Sequence, residues 1–338
     1  MKYFKTICCI FILGLFSIQS FGQDIHFSQF YNSPLNLNPS LAGSFYGNYR
    51  FVGNYRNQWS SVTIPFSTIS LSADANNLTK IKNLGLGVVF NHDNTGDSRF
   101  KTTILNTVAS YRISLDKDSI HNLSGGIQIG FTNKNLSYDE LRFDAQYNGA
   151  RFDKGLPSRE NFAVNSQIFM NLHIGLSYDY QIDSRKKWNI GISIFNITNP
   201  KESYFGNTEI RLDRRLTLHS TFTYDLTSEI DVLPSLFYMK QGKYFEFIFG
   251  ALGKYTLSDV PGSYQAVKAG LFFRTKDAGY LTVGYDVNNW NLGLSYDINM
   301  SSLRHASNGR GGIELSAIYI LQIFKPIKRG HKICPDYL

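Results

Sequence analysis

Two histidines and their neighbouring hydroxyl side chains are the residues whose types suit nucleophilic chemistry. His173 is followed by Ser177, and His219 by Ser220 and Thr221. A histidine that takes the proton of a hydroxyl group is the pair that an esterase needs. Both histidines lie in strand-like segments, where adjacent residues point to opposite faces. No spacing supports a catalytic pair, so the sequence favours polar lining over an active site.

Metal and cofactor chemistry has no stronger support. Asp93, Asn94 and Asp97 come nearest to a calcium loop, but the ordered ligand series of such a loop is absent, so we interpret them as a turn. The sequence contains no phosphate-binding loop, no paired metal ligands and no strong acid–base pair. We therefore expect a protein that is not an enzyme and uses no cofactor or metal.

The first 22 residues have the layout of a secretory signal peptide. Two lysines precede an apolar run over Ile7–Ile18, and small residues around Phe21 place the cleavage before Gln23. The apolar run is shorter than the roughly 20 residues of a membrane-spanning helix. Cleavage would leave Cys334 as the only cysteine, so an internal disulfide is excluded.

The bulk composition excludes two broad classes of protein. A mean hydropathy of −0.20 excludes a helical membrane protein, but not a β-barrel, whose strands are apolar on one side only. The net charge is +8, yet the basic residues are scattered. A nucleic-acid-binding protein would present them on one face, so nucleic acid is not expected as a partner.

Apolar residues recur at every second position along most of the chain. Ile168–Tyr180 shows the pattern, with Ile168, Leu172 and Leu176 separated by polar or small residues. We count about fourteen such segments of about ten residues, the length that a tilted membrane-crossing strand needs. The sequence predicts an all-β fold, a transmembrane antiparallel β-barrel of about fourteen strands with an N-terminal periplasmic or plug segment. A soluble β-sandwich is the alternative.

The links between these segments favour the barrel, because bacterial barrels have short turns on one side and longer loops on the other. Short links are predicted at Asn76–Asn83, Asp116–Asn122, Gln181–Lys187, Thr227–Glu229 and Val287–Asn289. Long links are predicted at Asn91–Arg99, Thr132–Val164, Asn196–Arg215 and Met300–Gly311. The links near Gln241 and Ser258 break the alternation. Both chain ends are expected in the periplasm.

The charged residues within the strands fall on one face, which would be the lumen. They are Arg50, Arg56, Asp74, Asp179, Asp225, Glu246, Lys268, Asp286, Asp297 and Glu314. A lysine or arginine on the lipid face would cost about 2–4 kcal/mol at the bilayer midplane. Trp59, Trp188 and Trp290 lie near strand ends, where the aromatic girdle of a barrel belongs.

Several motifs resemble those of a known family. The stretch from Gln23 to Ser44, QDIHFSQFYNSPLNLNPSLAGS, is similar to the N-terminal motif of the PorP/SprF family of the type IX secretion and gliding-motility machinery of Bacteroidota. Further similar stretches are Tyr55–Trp59 with Pro65-Phe66, Leu84–Gly87, Asn196–Pro200, Asp277-Ala278, Val283–Asp286 and Ser307–Ser316. The ending Cys334-Pro335 also resembles the family, but the basic and aromatic residues that usually follow it are replaced by Asp336-Tyr337-Leu338.

The resemblance implies an outer-membrane barrel of about fourteen strands, related in shape to fatty-acid channels. It implies a role in the export or surface retention of a secreted cargo, such as a gliding adhesin or another protein with a type B C-terminal sorting domain. It also implies outer-membrane lipid, a periplasmic peptidoglycan-anchored protein and other type IX components as partners. The expected location is the outer membrane of a Gram-negative cell.

The predicted division of the chain is a signal peptide over 1–22, an N-terminal plug or periplasmic segment over 23–48, the barrel over 49–324 and a periplasmic tail over 325–338. The tail is basic and suits an acidic periplasmic partner, or it is a solvated end. Candidate plug or partner-binding residues are Phe27, Phe30, Tyr31, Leu35 and Leu37 in the N-terminal segment, with Tyr138, Arg142, Phe143, Tyr147 and Arg151 in the longest loop.

Two functions remain open at this point. The first is a partner-binding component of type IX secretion, and the second is a passive channel for hydrophobic or small polar solutes. A lumen sealed by the N-terminal segment favours the first, whereas a continuous apolar path favours the second.

Overall fold

Strands make up most of this protein in a computed structural model, which describes residues 24–58, 64–76, 78, 81–96, 99–138, 141–160, 164–183, 185–204, 207, 209–260, 262–300 and 309–323. The predicted signal peptide 1–22, Trp59 and the predicted tail 325–338 with Cys334 lie outside the described residues.

Fourteen strands are found, with few helical turns among the described residues. They are β1 (Tyr49–Gln58), β2 (Phe66–Asn76), β3 (Leu84–Thr95), β4 (Phe100–Ser114), β5 (His121–Asn135), β6 (Ser166–Gln181), β7 (Lys187–Phe195), β8 (Arg215–Asp225), β9 (Ile230–Gln241), β10 (Tyr244–Val260), β11 (Ser263–Arg274), β12 (Ala278–Val287), β13 (Trp290–Asn299) and β14 (Arg310–Leu321). One turn of α-helix, α1 (Pro34–Leu37), and 3₁₀ turns at Phe30–Asn32, Pro39–Leu41 and Asp144–Gln146 complete the described elements.

The strands close into a single antiparallel barrel. Each strand pairs with its neighbours in sequence, and β1 pairs with β14, with Tyr49 opposite Leu321 and Gln58 opposite Gly312. Closure pairs the backbone groups of every strand within the sheet, as lipid requires. The prediction of an antiparallel barrel of about fourteen strands is confirmed, and the sandwich alternative is wrong.

The two faces of the barrel differ in the way that the alternation predicts. In β5, Ile127, Ile129 and Phe131 are exposed on the outside, whereas Gln128 and Thr132 are buried inside. The lumen face buries charged side chains on most strands, Arg50, Arg56, Glu246 and Glu314 among them, because neighbouring side chains and the chain inside the barrel cover them. Outward apolar side chains match the hydrocarbon layer, and the lumen therefore carries the polar chemistry of the molecule.

The links at one end of the barrel, which we call the turn end, are all short. They are 77–83, 115–120, 182–186, 226–229, 261–262 and 288–289. The opposite end, the loop end, carries 59–65, 96–99, 136–165, 196–214, 242–243, 275–277 and 300–309. Short turns face the periplasm in bacterial outer-membrane barrels, which would place the loop end outside the cell.

Some strands extend further than their apolar alternation predicts. β3 reaches Thr95, which pairs with Phe100, so the predicted long link Asn91–Arg99 is in fact the short turn 96–99. β10 continues to Val260 through a register shift between Thr256 and Ser258, so Ser258 marks a bulge and not a link. Beyond the bilayer both faces of a strand meet polar surroundings, and the alternation that marks a strand disappears.

Among the described residues no helix has the length and apolar character to cross a membrane.

Candidate functional site

Residues 24–48, which we call the lumen segment, run through the barrel from the loop end to the turn end. The Asp24 N–H donates to Gln241 Oε1 at 3.1 Å, at the loop end of β9. The Asn48 N–H donates to the Leu321 carbonyl at 3.0 Å, at the turn end of β14. Pro34 and Pro39 begin short helical turns along the way, since proline suits the first position of a turn and lacks an N–H for pairing with strands. The lumen segment therefore occupies the barrel as a series of compact turns.

One side of the lumen segment packs against an apolar patch of the barrel wall. The Phe30 ring stacks on Phe237 with 5.2 Å between ring centroids, and Tyr31 stacks on Phe272 at 5.5 Å. Leu37 joins the same cluster. Leu35 packs elsewhere, in a small second cluster of buried apolar residues. These aromatic pairs stabilise the position of the segment, because the rings bury apolar area and also stack in a favourable geometry.

The candidate residues Phe27, Phe30, Leu35 and Leu37 are all buried in the structure. The Tyr31 hydroxyl donates to Thr282 Oγ1 at 3.2 Å. These positions are consistent with a plug, although a partner-binding role for them stays a prediction.

The other side of the lumen segment meets carboxylates on the last two strands. The N–H groups of Ser28 and Gln29 donate to Glu314 at 2.7 and 2.9 Å, and the Ser28 hydroxyl lies 3.0 Å from both oxygens of Asp297. The Tyr280 hydroxyl donates to the Ser28 carbonyl at 2.6 Å. These contacts satisfy the backbone of a segment that has no strand partner of its own.

Two arginines balance the buried carboxylates. Arg56 and Arg274 each lie 3.3 Å from Asp297 Oδ2, and Arg274 Nε lies 3.3 Å from Glu246 Oε1. Arg56 also donates to the His26 carbonyl at 2.8 Å, and Arg274 donates to the Ser28 hydroxyl at 2.6 Å. Charges buried in this way need such pairing, and here the lumen segment shares in it.

The titratable groups of the lumen segment keep definite charge states. Burial raises the pKa of Asp24, but the Arg215 guanidinium, Lys134 and hydrogen bonds from Asn196 and Gln241 outweigh it, so the pKa lies below its usual value. Burial lowers the pKa of His26, although Glu246 acts in the opposite direction. Asp24 is therefore ionised and His26 neutral near pH 7.

A second anchor holds the segment near the turn end. Arg50 donates from Nε and Nη2 to the two oxygens of Asp74 at 2.9 and 2.7 Å, and from Nη2 to the Leu41 carbonyl at 2.9 Å. Asp74 also accepts the Gly43 N–H at 2.7 Å. Gly43 has a φ of +68°, which brings its N–H toward this carboxylate and suits glycine above other residues.

Glycines on the lumen face let the segment approach the wall. A Cβ atom at Gly126 would lie 2.4 Å from the Pro39 carbonyl carbon, and one at Gly175 would lie 1.9 Å from Asn38 Oδ1. With that space free, Asn38 Nδ2 donates to the backbone carbonyls of Leu176 and Ile192 at 3.0 and 3.2 Å. The absence of side chains at these two glycines therefore lets the lumen segment contact the barrel wall directly.

The lumen segment lies between two cavities. The loop-end cavity has a volume of about 550 Å³ and is lined from the segment by Asp24, Ile25, His26 and Asn36. The turn-end cavity has about 210 Å³ and is lined from the segment by Gln29, Tyr31 and Asn32. The two cavities share no lining residue, and the lumen segment contributes to the lining of both.

The longest described link, 136–165, forms a surface of its own at the loop end. Tyr147 and Phe152 form an antiparallel bridge, and the Arg142 guanidinium lies 5.1 Å from the centre of the Phe152 ring. Arg142, Tyr147 and Arg151 are exposed, while Phe143 is half-buried. The Tyr138 hydroxyl donates to the Val164 carbonyl at 2.5 Å and ties the two ends of the link together.

Among the described residues, neither histidine considered for catalysis contacts a hydroxyl nucleophile. His219 Nε2 contacts Asn189 Oδ1 at 3.0 Å inside the barrel, while Ser220 accepts the Trp188 Nε1–H at 2.8 Å on the outside. His173 Nδ1 accepts the Asn196 N–H at 2.9 Å. Within the described part of the chain, no group of three or more His, Cys, Asp or Glu could hold a metal ion.

Sequence reasoning missed several residues of the lumen segment that form hydrogen bonds with the barrel wall. They are Asp24, Ser28, Gln29, Asn38 and Gly43. Apolar residues in a proline-containing segment marked it as packed, but polar contacts depend on which strand lies opposite. The sequence offered one signal for these contacts. The charged residues on the lumen face had no partner within their own strand and therefore needed one elsewhere.

Comparison with known proteins places the chain in one family. The family described as type IX secretion system membrane protein PorP/SprF matches residues 19–319. The comparison with curated protein sequences gives no match. The fold is similar to that of solved barrels that are described as transporters or channels.

The Pseudomonas putida toluene transporter TodX has 11% identity, with a TM-score of 0.50 over 85% of this chain and 92% of that chain. The CymD monoaromatic hydrocarbon channel has 9% identity, with a TM-score of 0.50 over 86% and 93%. The Ralstonia pickettii toluene transporter TbuX has 9% identity, with a TM-score of 0.49 over 85% and 92%. At these identities the likeness concerns the fold alone.

Proposed function

The chain belongs to the PorP/SprF family of type IX secretion system membrane proteins, and we propose that it is a non-enzymatic outer-membrane component that binds a secreted protein at its loop end. The partner proposed is an adhesin-like protein with a type B C-terminal domain, held for export or for attachment to the cell surface. The single observation that carries this proposal is the lumen segment that fills the barrel between its two ends.

A filled lumen argues for binding rather than passage. The lumen segment is held by buried aromatic stacking near Phe237 and Phe272 and by the carboxylates of Glu314 and Asp74. Removing it from the barrel would expose all of these groups together. A partner that meets this barrel would therefore bind to its outer surface or to the mouth of the lumen.

The passive-channel alternative has less support. It requires a continuous apolar path, yet the lumen face buries polar and charged side chains, and the lumen segment contributes to the lining of both cavities. The similar solved barrels include hydrocarbon channels, but at 9–11% identity they indicate only the fold.

The loop over 136–165 supports the loop end as the binding surface. It presents Arg142, Tyr147 and Arg151 to solvent, and arginine and tyrosine are enriched among residues that anchor protein interfaces. Its internal bonds, among them the Tyr147–Phe152 bridge, pre-order it, so less entropy would be lost when a partner binds.

The remaining assignments complete the proposal. Residues 1–22 would direct export, 23–48 would plug the barrel formed by 49–324, and the basic tail 325–338 would contact a peptidoglycan-anchored periplasmic protein or other type IX components. Outer-membrane lipid would surround the apolar outer face. A role in gliding motility would follow if the bound partner is a motility adhesin.

The test is surface display of secreted proteins in cells that carry loop variants. The triple variant R142A/Y147A/R151A removes the three exposed anchors and leaves the barrel wall unchanged. We expect at least one protein with a type B C-terminal domain to disappear from the cell surface and from pull-downs of the detergent-solubilised barrel. Undiminished display and recovery of every such protein would contradict the proposal.

A matched control uses exposed polar residues at the turn end. The double variant K117A/D118A alters two exposed charged residues of the 115–120 turn. Normal display in this variant would show that the effect belongs to the loop end. Both variants must reach the membrane in wild-type amounts, which is measured by heat-modifiable mobility of the barrel on a gel.

A further inference from the structure

The turn-end cavity is lined by the lumen segment and by wall residues that lie next to the short turns. Tyr31 and Asn32 line it from the segment, Lys187 begins β7 after the turn 182–186, and Asn291 follows the turn 288–289. Its volume of about 210 Å³ is smaller than the roughly 300 Å³ at which pockets for drug-sized ligands begin. A ligand of this cavity would therefore be small and would enter from the turn end.

Lys187 faces this cavity with its charge uncompensated. It lies on the lumen face of β7, like Asn189, whose amide contacts Asp179 and His219 inside the barrel. Lys187 is nevertheless exposed, so its side chain is open to solutes that enter the turn end. That side chain forms no ion pair or hydrogen bond with the described residues. Its positive charge is therefore available to an anion.

Two further lysines lie close to Lys187. Lys268 also lines the cavity, with 16% of its side chain exposed, and its Nζ lies 2.8 Å from Asp286 Oδ2. Lys254 Nζ lies 2.6 Å from Asp231 Oδ2. Both ammonium groups are near enough to repel that of Lys187. The turn end of the lumen therefore brings three lysines together.

The carboxylates at this end do not balance the positive charges. Asp231 is shared, because Arg185 lies 2.6 Å from its second oxygen. The three lysines and Arg185 carry four positive charges, against the two negative charges of Asp231 and Asp286. The next carboxylates, Asp179 and Asp225, each have a basic partner of their own. The resulting excess of two positive charges would concentrate anions at the cavity, as clefts lined by one sign of charge do.

The rest of the lining supplies neutral hydrogen-bonding groups. Thr221 of β8 lies opposite Ser235 of β9, and both line the cavity. Thr221 is half-buried, and its hydroxyl has no hydrogen-bond partner in the described part of the chain. None of the described lining residues is an arginine, an aspartate or a glutamate. A ligand would therefore meet ammonium groups and hydroxyls that come from several strands.

This set of donors suits a phosphate group better than a carboxylate. Lysine binds phosphate as a point charge, whereas a planar carboxylate is matched best by the forked side chain of arginine. A phosphate monoester carries about −1.5 to −2 charges near pH 7, which is close to the excess of positive charge at this end. Its oxygens also point in several directions, as donors on different sides of a lumen require.

We propose that the turn-end cavity binds a phosphate group, which belongs either to a small soluble phosphate ester or to a lipid headgroup. Lys187 would be the main anchor, and Thr221 would donate its hydroxyl. Lys268 would divide its charge between Asp286 and the ligand. The site goes beyond the proposed protein-binding role and does not depend on it.

The test is isothermal titration calorimetry on the full mature chain, purified in a neutral detergent and a phosphate-free buffer of low ionic strength, where screening is weak. Glycerol 3-phosphate is the soluble probe, and dihexanoyl phosphatidic acid is the lipid probe. Succinate, a dianion with two carboxylates, is the comparison. Tighter binding of glycerol 3-phosphate indicates a soluble ester, and tighter binding of the lipid indicates a headgroup. Either result supports the proposal when succinate binds more weakly.

The variant K187M locates the binding. Since Lys187 has no ion-pair partner among the described residues, its replacement leaves no carboxylate unpaired. Binding of the phosphate probes should weaken about tenfold, the effect of one lost hydrogen bond from a charged group. K117M is the matched control, because Lys117 is an exposed lysine of a turn-end link that does not line the cavity. It should bind the probes as the wild-type protein does.

Folding of both variants is checked by heat-modifiable gel mobility, and K187Q replaces K187M if that variant does not fold. The proposal is overturned if neither phosphate probe binds to the wild-type protein, or if succinate binds as tightly as the better of the two. It is also overturned if K187M binds the phosphate probes as tightly as K117M does.

Discussion

The backbone N–H of Ser28 donates a 2.7 Å hydrogen bond to Glu314 Oε2, although 286 positions separate the two residues in the chain. Glu314 Oε1 accepts the next N–H, that of Gln29, at 2.9 Å. One carboxylate of β14 thus binds two successive amides of the lumen segment. The strand that closes the barrel against β1 also fixes what lies inside it.

The first prediction concerns this carboxylate. E314Q keeps the shape of the side chain but loses the charge, and it turns an N–H group toward one of the two amides. We expect the lumen segment to be held less tightly by about 1–3 kcal/mol, the cost of an unsatisfied buried group. Hydrogen exchange followed by mass spectrometry should show faster exchange over 27–31 and unchanged exchange in the strands.

The control for this variant is E160Q, which neutralises an exposed glutamate of the long loop. Exchange over 27–31 should match that of the wild-type protein. Equal protection of this stretch in E314Q and E160Q would show that Glu314 does not hold the segment.

The second prediction compares two adjacent glycines of β5. A Cβ at Gly126 would lie 2.4 Å from backbone atoms of Pro39 and Ser40, whereas one at Gly125 would meet only the Leu176 side chain at 3.5 Å. G126A should therefore displace the lumen segment or block its insertion, and G125A should not. Limited proteolysis near Pro39 distinguishes them. Similar resistance of both variants to the protease would contradict the close approach of Pro39 to Gly126.

The third prediction concerns the buried pair Arg50 and Asp74. R50M and D74N each leave one charged side chain buried without its ion-pair partner. Breaking a buried pair in this way typically costs about 3–5 kcal/mol. The double variant R50M/D74N should lose less free energy of unfolding than the two single variants lose together. Denaturant unfolding of the refolded barrel measures all three values, and simple additivity would mean that the two side chains act independently.

The more exposed pair Lys186 and Asp225 provides the reference for that cycle. Its atoms lie 3.4 Å apart, with side chains 41% and 26% exposed. Exposed ion pairs contribute about 0–1 kcal/mol. K186M should therefore change the free energy of unfolding far less than R50M.

The fourth prediction is a pH dependence that comes from His26. Burial lowers its pKa in the folded protein, so below about pH 6.5 the unfolded chain binds a proton that the folded chain does not. The free energy with which His26 stabilises the lumen segment inside the barrel is therefore fully present above that pH, and it decreases as the pH falls. Compared with H26Q at the same pH, the wild-type protein should lose protection of 24–31 between about pH 7 and about pH 5. A constant difference between the two proteins would contradict this.

The barrel could be predicted from the sequence because its signal is local. In β5 each outward Ile or Phe alternates with an inward polar or small residue, and a strand that crosses lipid leaves little freedom to depart from this pattern. Strand ends were harder to predict. Asn91–Thr95 are polar on both faces because they lie beyond the apolar band, and only their pairing with β4 identifies them as strand.

The interior could be predicted only in part. Phe27, Phe30 and Leu35 marked the N-terminal segment as buried, since a free tail is rarely so apolar. The partners of Ser28 and Asn38 lie more than 130 positions away in sequence, and a single sequence does not reveal such pairs. The same limit applied to the loop-end cavity, whose lining comes from the lumen segment and from strands β1 to β8.

The central claim is that the lumen segment closes the barrel, and single-channel recording in planar lipid bilayers tests it most directly. The wild-type protein should show no steady open-channel steps, while a variant that lacks residues 24–44 should show stable steps once it has folded. Steady steps of equal size in both proteins would contradict the claim.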